Sequence, residues 1–254
     1  MASGLTADLS GLRALVTGAS SDGLGAHFAR TLARAGAEVV VAARRLGPLE
    51  ALAEAIAGEG GMALPVAMDV TSADNVAQAF ELAGPVDILV NNAGIERSGR
   101  VLEISESDFE AVVDTNLKGV WLVATEAARR MERAGSGGSI INIASITGHR
   151  GMIGTAPYCV AKAGVLHLTR QLAWSLARRG IRVNSISPGY FETDLNREFL
   201  NSSHGEEMRQ RIAMRRFGSL NDLDGALLLL ASPASAFMTG SEIVVDGGHL
   251  ASPL

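Results

Sequence analysis

Val16-Thr17-Gly18-Ala19-Ser20-Ser21-Asp22-Gly23-Leu24-Gly25 carries an apolar, β-branched run through a glycine-rich turn into a helical segment. Glycines let such a turn be tight and let backbone N–H groups approach an anion at a helix N-terminus, where the helix dipole favours negative charge. The spacing Gly-x-Gly-x-x-Gly is absent, so the alternative is a plain strand-to-helix turn. Context favours the anion cradle, because the turn opens a βαβ unit whose second strand ends about 20 residues later, where the adenosine ribose of a dinucleotide should lie. Asp22 would repel a phosphate in this turn. Asp is also a favoured helix N-cap, and that is the role expected of it.

Working outward, short β-branched runs recur at Leu12–Thr17, Glu38–Ala43, Ala63–Met68, Asp87–Val90, Ser139–Ala144, Ile181–Ser187 and Glu242–Val245. They are near-continuous apolar stretches, as strands covered on both faces should be. Helices are expected at Gly25–Arg34, Pro48–Ala57, Ala73–Leu82, Ser107–Arg133, Pro157–Arg179 and Asn221–Ala231. This alternation predicts an α/β fold: a doubly wound, seven-stranded parallel sheet in a Rossmann-type three-layer αβα sandwich with right-handed crossovers. One dinucleotide-binding domain over residues 1–254 accounts for the whole chain. The polar, charged region 190–217 breaks the rhythm at the carboxyl edge of the sheet, where open α/β sheets bind ligands, and is expected to be a substrate lid. Phe191, Leu195, Phe199, Leu200, Met208 and Met214 give it apolar contact surface, and its mixed charges call for no single charged substrate group.

Bulk properties narrow the partners. With 47% hydrophobic and 19% charged residues the composition is globular. The balance of 22 basic against 27 acidic residues disfavours nucleic acid or an anionic membrane as partner, leaving a small molecule. Cys159 is the only cysteine, which excludes an internal disulfide and fits a reducing compartment. It has no obvious base beside it and reads as a small buried filler. Met1–Ser10 has neither a basic start nor an apolar core, and no apolar run approaches the ~20 residues that span a bilayer. A soluble, cytoplasmic protein is expected.

The second strand ends Ala42-Ala43-Arg44-Arg45. An acidic residue there would pair with a ribose 2′-hydroxyl, whereas the arginine fork suits a 2′-phosphate, so NADP(H) is favoured and NAD(H) remains possible. The alternative is that both arginines merely open a solvated loop. Further on, Tyr158 and Lys162 stand four residues apart, adjacent on one helix face. A neighbouring cation favours the phenolate, so Lys162 is expected to lower the Tyr158 pKa and make it a proton donor and acceptor. His149, between Ser145 and Tyr158, is expected to shape the pocket. His27, His167, His204 and His249 show no metal-ligand spacing, and no metal is expected.

With these elements in place, the chain resembles the short-chain dehydrogenase/reductase family over essentially its whole length, and its single-domain ketoreductases in particular. The match rests on Asn91-Asn92-Ala93-Gly94 after the fourth strand, Asp69-Val70 after the third, Asn116 in Asn116-Leu117-Lys118-Gly119, Ser145 thirteen residues before Tyr158, and Pro188-Gly189 with Thr193. One departure is the turn: Gly18 and Gly23 enclose four residues where the family usually has three. The resemblance implies hydride transfer between NADP(H) or NAD(H) and a ketone or secondary alcohol. Tyr158 would act as general acid/base and Ser145 would hydrogen-bond the reacting oxygen. Lys162 would reach the nicotinamide ribose, and Asn116 would hold a water in the proton route. It also implies cofactor contacts from Gly18, Ser20, Ser21, Gly23, Leu24, Arg44, Asp69, Val70, Asn92, Ala93, Gly94, Tyr158, Lys162, Pro188, Gly189, Phe191 and Thr193, and assembly as a homotetramer. A 3-oxoacyl thioester, a sugar and a steroid all stand as substrates. The alternatives are an epimerase or dehydratase, for which the chain leaves no room for a separate substrate domain, and a non-catalytic dinucleotide-binding protein, of which loss of Tyr158 or Lys162 would be the mark.

Overall fold

Every expected β run forms a strand in the computed structural model, which describes residues 7–192, 200 and 202–251. The strands are β1 (Arg13–Thr17), β2 (Glu38–Ala43), β3 (Met62–Ala67), β4 (Ile88–Asn91), β5 (Gly138–Ile143), β6 (Ile181–Pro188) and β7 (Glu242–Val245). All pair in parallel, in the order β3-β2-β1-β4-β5-β6-β7. Winding therefore reverses between β1 and β4. Val16 stands opposite Val41 on one side and Val90 on the other, so the carboxyl ends of β1, β2 and β4 fall at one level and open a crevice there.

Helices cover both faces of the sheet. Val16, Val39 and Val41 pack with Phe28 and Leu32 of α1 (Leu24–Arg34), Leu49 of α2 (Leu46–Gly58) and Leu227 of α8 (Asp224–Ala231). The intervening Leu15 and Val40 point the other way, towards Phe80 of α3 (Ala73–Ala83), Val123 of α5 (Gly119–Ala134) and Leu172 of α6 (Ala156–Leu176). Successive side chains on a strand alternate faces, so a strand apolar throughout serves two cores. The two edges depart from the expected double cover. β3 runs exposed and half-buried by turns, with Met62 and Leu64 exposed, because it has a neighbour on one side only. Pro65 is tolerated within it for the same reason.

Local signals set the helix starts. Ser72 caps α3 by accepting from Asn75 N, and Ser105 caps α4 (Glu106–Val113) by accepting from Asp108 N at 3.1 Å. Pro157 lies in the first turn of α6, where its missing N–H costs nothing. The helix expected as continuous over Ser107–Arg133 is interrupted by a π-helical turn at Asp114–Lys118, between α4 and α5. Beyond β6, Phe191 and Gly218 form an isolated parallel bridge, and α7 (Ser203–Arg211) is capped by Ser202. Thr193, Leu195 and Phe199 lie outside the described residues. Among the described residues no helix is long and apolar enough to cross a membrane.

Candidate active site

The turns that follow the carboxyl ends of β1, β2, β4, β5 and β6 enclose a cavity of about 960 Å³. Gly18 adopts φ +70°, a left-handed conformation that strains residues bearing a Cβ, and a Cβ there would stand 2.7 Å from Ala93 Cα. A Cβ on Gly25 would collide with the Gly18 carbonyl oxygen, so α1 rests directly on the turn. The N-cap of α1 is Gly23, with no capping side chain and no acid in the first turn. The positive end of the helix is thus left available to an anion. Gly18, Ser20, Ser21 and Leu24 line the cavity. Gly23 does not line it, and its N–H donates to Ser21 O at 2.8 Å.

Asp22 does not cap α1, contrary to expectation. The four-residue spacing places it one position before the cap, exposed, in a separate cleft beside Arg30 and Pro48. Asp22 is therefore not among the residues that line the anion cradle.

The turn is fastened to the end of β4. The Thr17 hydroxyl accepts from Asn92 N and Ala93 N, both at 3.0 Å, and Asn92 Nδ2 donates to Thr17 O at 3.0 Å and to Gly18 O at 3.3 Å. Behind it, Asn91 Nδ2 donates to Asn142 Oδ1 at 3.0 Å and Asn142 Nδ2 to Thr169 Oγ1 at 2.9 Å. These buried amides tie β4, β5 and α6 together. Asn91 stands in the motif quoted above and Asn142 in the fifth β run, but spacing alone assigns them no task.

Arg44, Arg45, Asp69 and Val70 line one end of the cavity. Both arginines are exposed, and Arg45 Nη2 reaches Ser20 O at 3.4 Å. The Asp69 carboxylate accepts from Thr71 N at 3.0 Å and Thr71 Oγ1 at 2.8 Å. The backbone bond from Thr71, with a smaller contribution from the Arg44 charge, holds Asp69 below the usual carboxylate range.

At the other end Ser145, Tyr158 and Lys162 meet. Ser145 follows β5 and caps a 3₁₀ turn at Ile146–Gly148; its hydroxyl accepts from Thr147 N at 3.1 Å and Thr147 Oγ1 at 2.9 Å. It also hydrogen-bonds the Tyr158 phenol, which favours the phenolate. Lys162 is buried. Its Nζ donates to Ile143 O at 2.6 Å and lies 5.5 Å from the centroid of the Tyr158 ring. The expected depression of the Tyr158 pKa is not found. Although the tyrosine reaches the cavity, burial pushes the phenol up to about 12, the charge of Glu96 adds to the rise, and the Ser145 bond only partly offsets it. Burial also brings Lys162 down to about 8. Desolvation thus outweighs a cation placed over the ring face and not at the hydroxyl.

Asn116 sits in the π-helical turn, fully buried and outside the cavity wall. Its Oδ1 accepts from Ile95 N and its Nδ2 donates to Ile95 O, both at 2.8 Å. The side chain therefore holds the loop that follows Gly94. His149 is displaced from the pocket role expected of it: its Nε2 lies 2.6 Å from Glu242 Oε1, and it does not line the cavity. Cys159 Sγ contacts Thr155 Oγ1 at 3.4 Å. Pro188, Gly189 and Phe191 close the side next to β6, and Asn92, Ala93 and Gly94 the side next to β4.

Ile95, Glu96, Thr147, Met152 and Tyr190 also line the cavity, and sequence reasoning gave them no role. Their adjacency to Gly94, Ser145 and Gly189 was the available signal. Among the described residues no group of His, Cys, Asp and Glu is placed to hold a metal ion, and His27 instead pairs with Asp224 at 2.7 Å, joining α1 to α8.

Comparison with known proteins agrees with this geometry. Residues 18–249 match the model of a family described as Enoyl-(Acyl carrier protein) reductase. The chain is 38% identical over 245 residues to gluconate 5-dehydrogenase of Gluconobacter oxydans (strain 621H), covering 94% of this chain and 95% of that one. It is 40% identical over 241 residues to a 3-oxoacyl-[acyl-carrier-protein] reductase of Synechocystis sp., covering 92% and 95%. The crystal structure of a gluconate 5-dehydrogenase from Burkholderia cenocepacia J2315, in complex with NADP and tartrate, superposes with a TM-score of 0.92 at 38% identity and covers 97% of this chain and 98% of that one. With a family model matched over nearly all its length and a sheet, turn and Ser/Tyr/Lys cluster of this kind, the chain belongs to the short-chain dehydrogenase/reductase family and is an oxidoreductase of that family's alcohol and ketone chemistry.

Proposed function

We propose that the protein interconverts a ketone and its secondary alcohol with NADP(H), and with NAD(H) as the second choice, using Tyr158 as general acid/base. The observation that carries this reading is that Ser145, Tyr158 and Lys162 open onto the same cavity as the uncapped start of α1 and the Arg44/Arg45 pair. The donor set fits a dinucleotide bearing a 2′-phosphate. Backbone amides at the α1 turn, with Ser20 and Ser21, suit a pyrophosphate, the two guanidinium groups suit a 2′-phosphate, and Asp69 with Val70 suits the adenine edge. Asn92, Ala93, Gly94, Pro188, Gly189 and Phe191 line the length between; Gly23 and Thr193 complete the proposed cofactor residues, and NADP in the Burkholderia relative supports the assignment.

When bound, the nicotinamide supplies or accepts the hydride. In the reduction direction the neutral phenol of Tyr158 donates its proton to the carbonyl oxygen as charge develops there, and Ser145, whose hydroxyl oxygen accepts from Thr147, donates its own O–H in a hydrogen bond to the same atom. Lys162 orders this end of the cavity through Ile143. Asn116 acts by positioning, since its amide fixes Ile95 beside the reacting centre, and its π-helical setting is compatible with a water held on the proton route. The gluconate and 3-oxoacyl relatives differ in what lies beyond the reacting carbon, and the alcohol-to-ketone change is what they share.

The region 190–217 serves as lid of one catalytic domain, supported by Tyr190 and Phe191 at the cavity and α7 beside it. A homotetramer is supported by the exposed Trp121 and Trp174 on α5 and α6 and by exposed Phe237 and Val244 near the β7 edge. The use of a single cysteine, Cys159, supports a reducing, cytoplasmic location. A panel of carbonyl compounds and alcohols, followed by the absorbance of reduced nicotinamide with each cofactor, tests the function. Turnover of a ketone with NADPH is expected, and a chain that binds NADPH but turns over no member contradicts it.

A further inference from the structure

Backbone pairing between β5 and β6 runs out at the cavity. Ala144 N donates to Ile186 O at 2.8 Å, and beyond that bond the two segments part, with Ser145, Ile146 and Thr147 lining one wall and Pro188 and Gly189 another. One wall carries the hydroxyl that meets the reacting oxygen and the other lies on the cofactor side, so their separation bears on the reaction.

Glu242, the first residue of β7, spans the gap. Its Oε1 accepts from His149 Nε2 at 2.6 Å and also from the Ser187 hydroxyl. A carboxylate oxygen accepts, so the His149 Nε2 carries the hydrogen. His149 ends the 3₁₀ turn that Ser145 caps, its N–H donating to Ile146 O at 3.0 Å. Ser187 stands immediately before Pro188. The sheet register explains the reach: Glu242 stands opposite Ser185, and Ser187, two residues on, lies on the same face. One oxygen atom thus joins the end of the Ser145 turn to the residue before Pro188-Gly189.

Burial favours this contact. Ser187 is fully buried, so its hydroxyl needs an internal partner. The His149 and Glu242 side chains are 33% and 16% exposed, more shielded than an open surface pair, and a carboxylate makes the stronger kind of acceptor. β7 also backs the second wall directly: Gly189 N donates to Val245 O at 2.9 Å, and a Cβ on Gly189 would stand 2.8 Å from Asp246 Cα. Tyr190 Oη reaches Met152 Sδ at 3.3 Å between the same two segments, but a thioether is a weak acceptor.

We propose that Glu242 is a positioning residue of the reaction: through His149 and Ser187 it clamps the Ser145 turn and the Pro188-Gly189 turn at the separation that turnover needs. The effect on turnover rests on the ketone/alcohol reading above, whereas the clamp is a property of the chain alone. His149, which does not line the cavity, acts through this contact and not on substrate.

Two measurements test it. The first is amide hydrogen exchange in the cofactor-free protein. In Glu242→Ala and in His149→Phe the Gly148, His149 and Arg150 amides, which donate to Ser145 O and Ile146 O, should exchange about tenfold or more faster while β1 and β4 stay unchanged. The second is steady-state kinetics with NADPH and the best ketone of the panel. In both variants kcat should fall about tenfold with KM for NADPH within about threefold of wild type, and Glu242→Gln, whose amide oxygen still accepts from both donors, should recover kcat to within about threefold. His149→Phe alters a side chain at the surface and keeps both measurements open should Glu242→Ala not fold. Turn exchange unmoved in the variants overturns the clamp. Faster turn exchange with kcat unmoved, exchange raised equally throughout the sheet, or Glu242→Gln no better than Glu242→Ala overturns the positioning role. A wild-type chain that binds NADPH yet turns over no ketone overturns the ketone reading, and the exchange result then decides the clamp by itself.

Discussion

The ammonium of Lys162 lies over the ring of Tyr158, 5.5 Å from its centroid, and spends a hydrogen bond on Ile143 O at 2.6 Å. Four residues of helix put the two side chains on one face, yet the cation meets the ring and not the hydroxyl. Burial then acts on both. It raises the phenol to about 12 and lowers the ammonium to about 8, so each is biased towards its neutral form.

That bias fixes the sign of the pH dependence. Alcohol oxidation needs the Tyr158 phenolate to take up a proton, and well below its pKa the phenolate fraction rises about tenfold per pH unit. Oxidation kcat/KM should climb between about pH 6 and 9, whereas reduction, served by the protonated phenol, should not rise. Initial rates in both directions across this range check it, and parallel profiles would contradict the assigned proton step.

Stability should show the buried lysine. A lysine whose folded pKa is depressed to about 8 penalises the folded state while it is charged in both states, and that penalty disappears as pH rises from about 8 past its ordinary value of 10.5. Relative to Lys162→Met, the wild type should therefore gain up to about 3 kcal/mol over this interval. Denaturant titrations of both proteins at several pH values measure the difference, and a constant gap would show that Lys162 is not desolvated.

Arg44→Asp should move preference from NADP(H) towards NAD(H), because a carboxylate there repels a 2′-phosphate and accepts from a ribose hydroxyl. The ratio of kcat/KM for NADP(H) over NAD(H) should fall by about tenfold or more. An unchanged ratio removes Arg44 from that task and leaves the neighbouring Arg45 to be tested.

Asn116→Ala leaves the Ile95 N–H and C=O without the two bonds they make at 2.8 Å. Unfolding free energy should drop by about 2–3 kcal/mol. Because Ile95 flanks the reacting centre, kcat should fall as well in protein that remains folded. Chemical denaturation and steady-state kinetics on one preparation separate the two effects.

Much of this was legible in the residues themselves. Strand-to-helix alternation placed all seven strands to within a residue or so, because apolar runs facing two cores leave a continuous hydrophobic signal. Misses arose where one residue changes geometry without changing pattern. Asp22 stood at a plausible cap position, but the extra turn residue gave the cap to Gly23. The π turn around Asn116 shifts hydrogen bonding by one position while the apolar face continues, so Ser107–Arg133 read as one helix. Tyr158 was assigned the wrong sign because spacing reports proximity and not burial. A second cavity, lined by Arg150, Arg211, Arg215 and His249, was hidden because these residues converge only in three dimensions.

The most direct test is Tyr158→Phe, which removes one oxygen and leaves the ring under Lys162 in place. NADPH binding, followed by fluorescence titration, should stay within about threefold of wild type, while turnover of the best ketone from the panel should fall by about 10²–10⁴-fold. Turnover at the wild-type rate in a variant that binds NADPH normally would contradict Tyr158 as the acid and base of this enzyme.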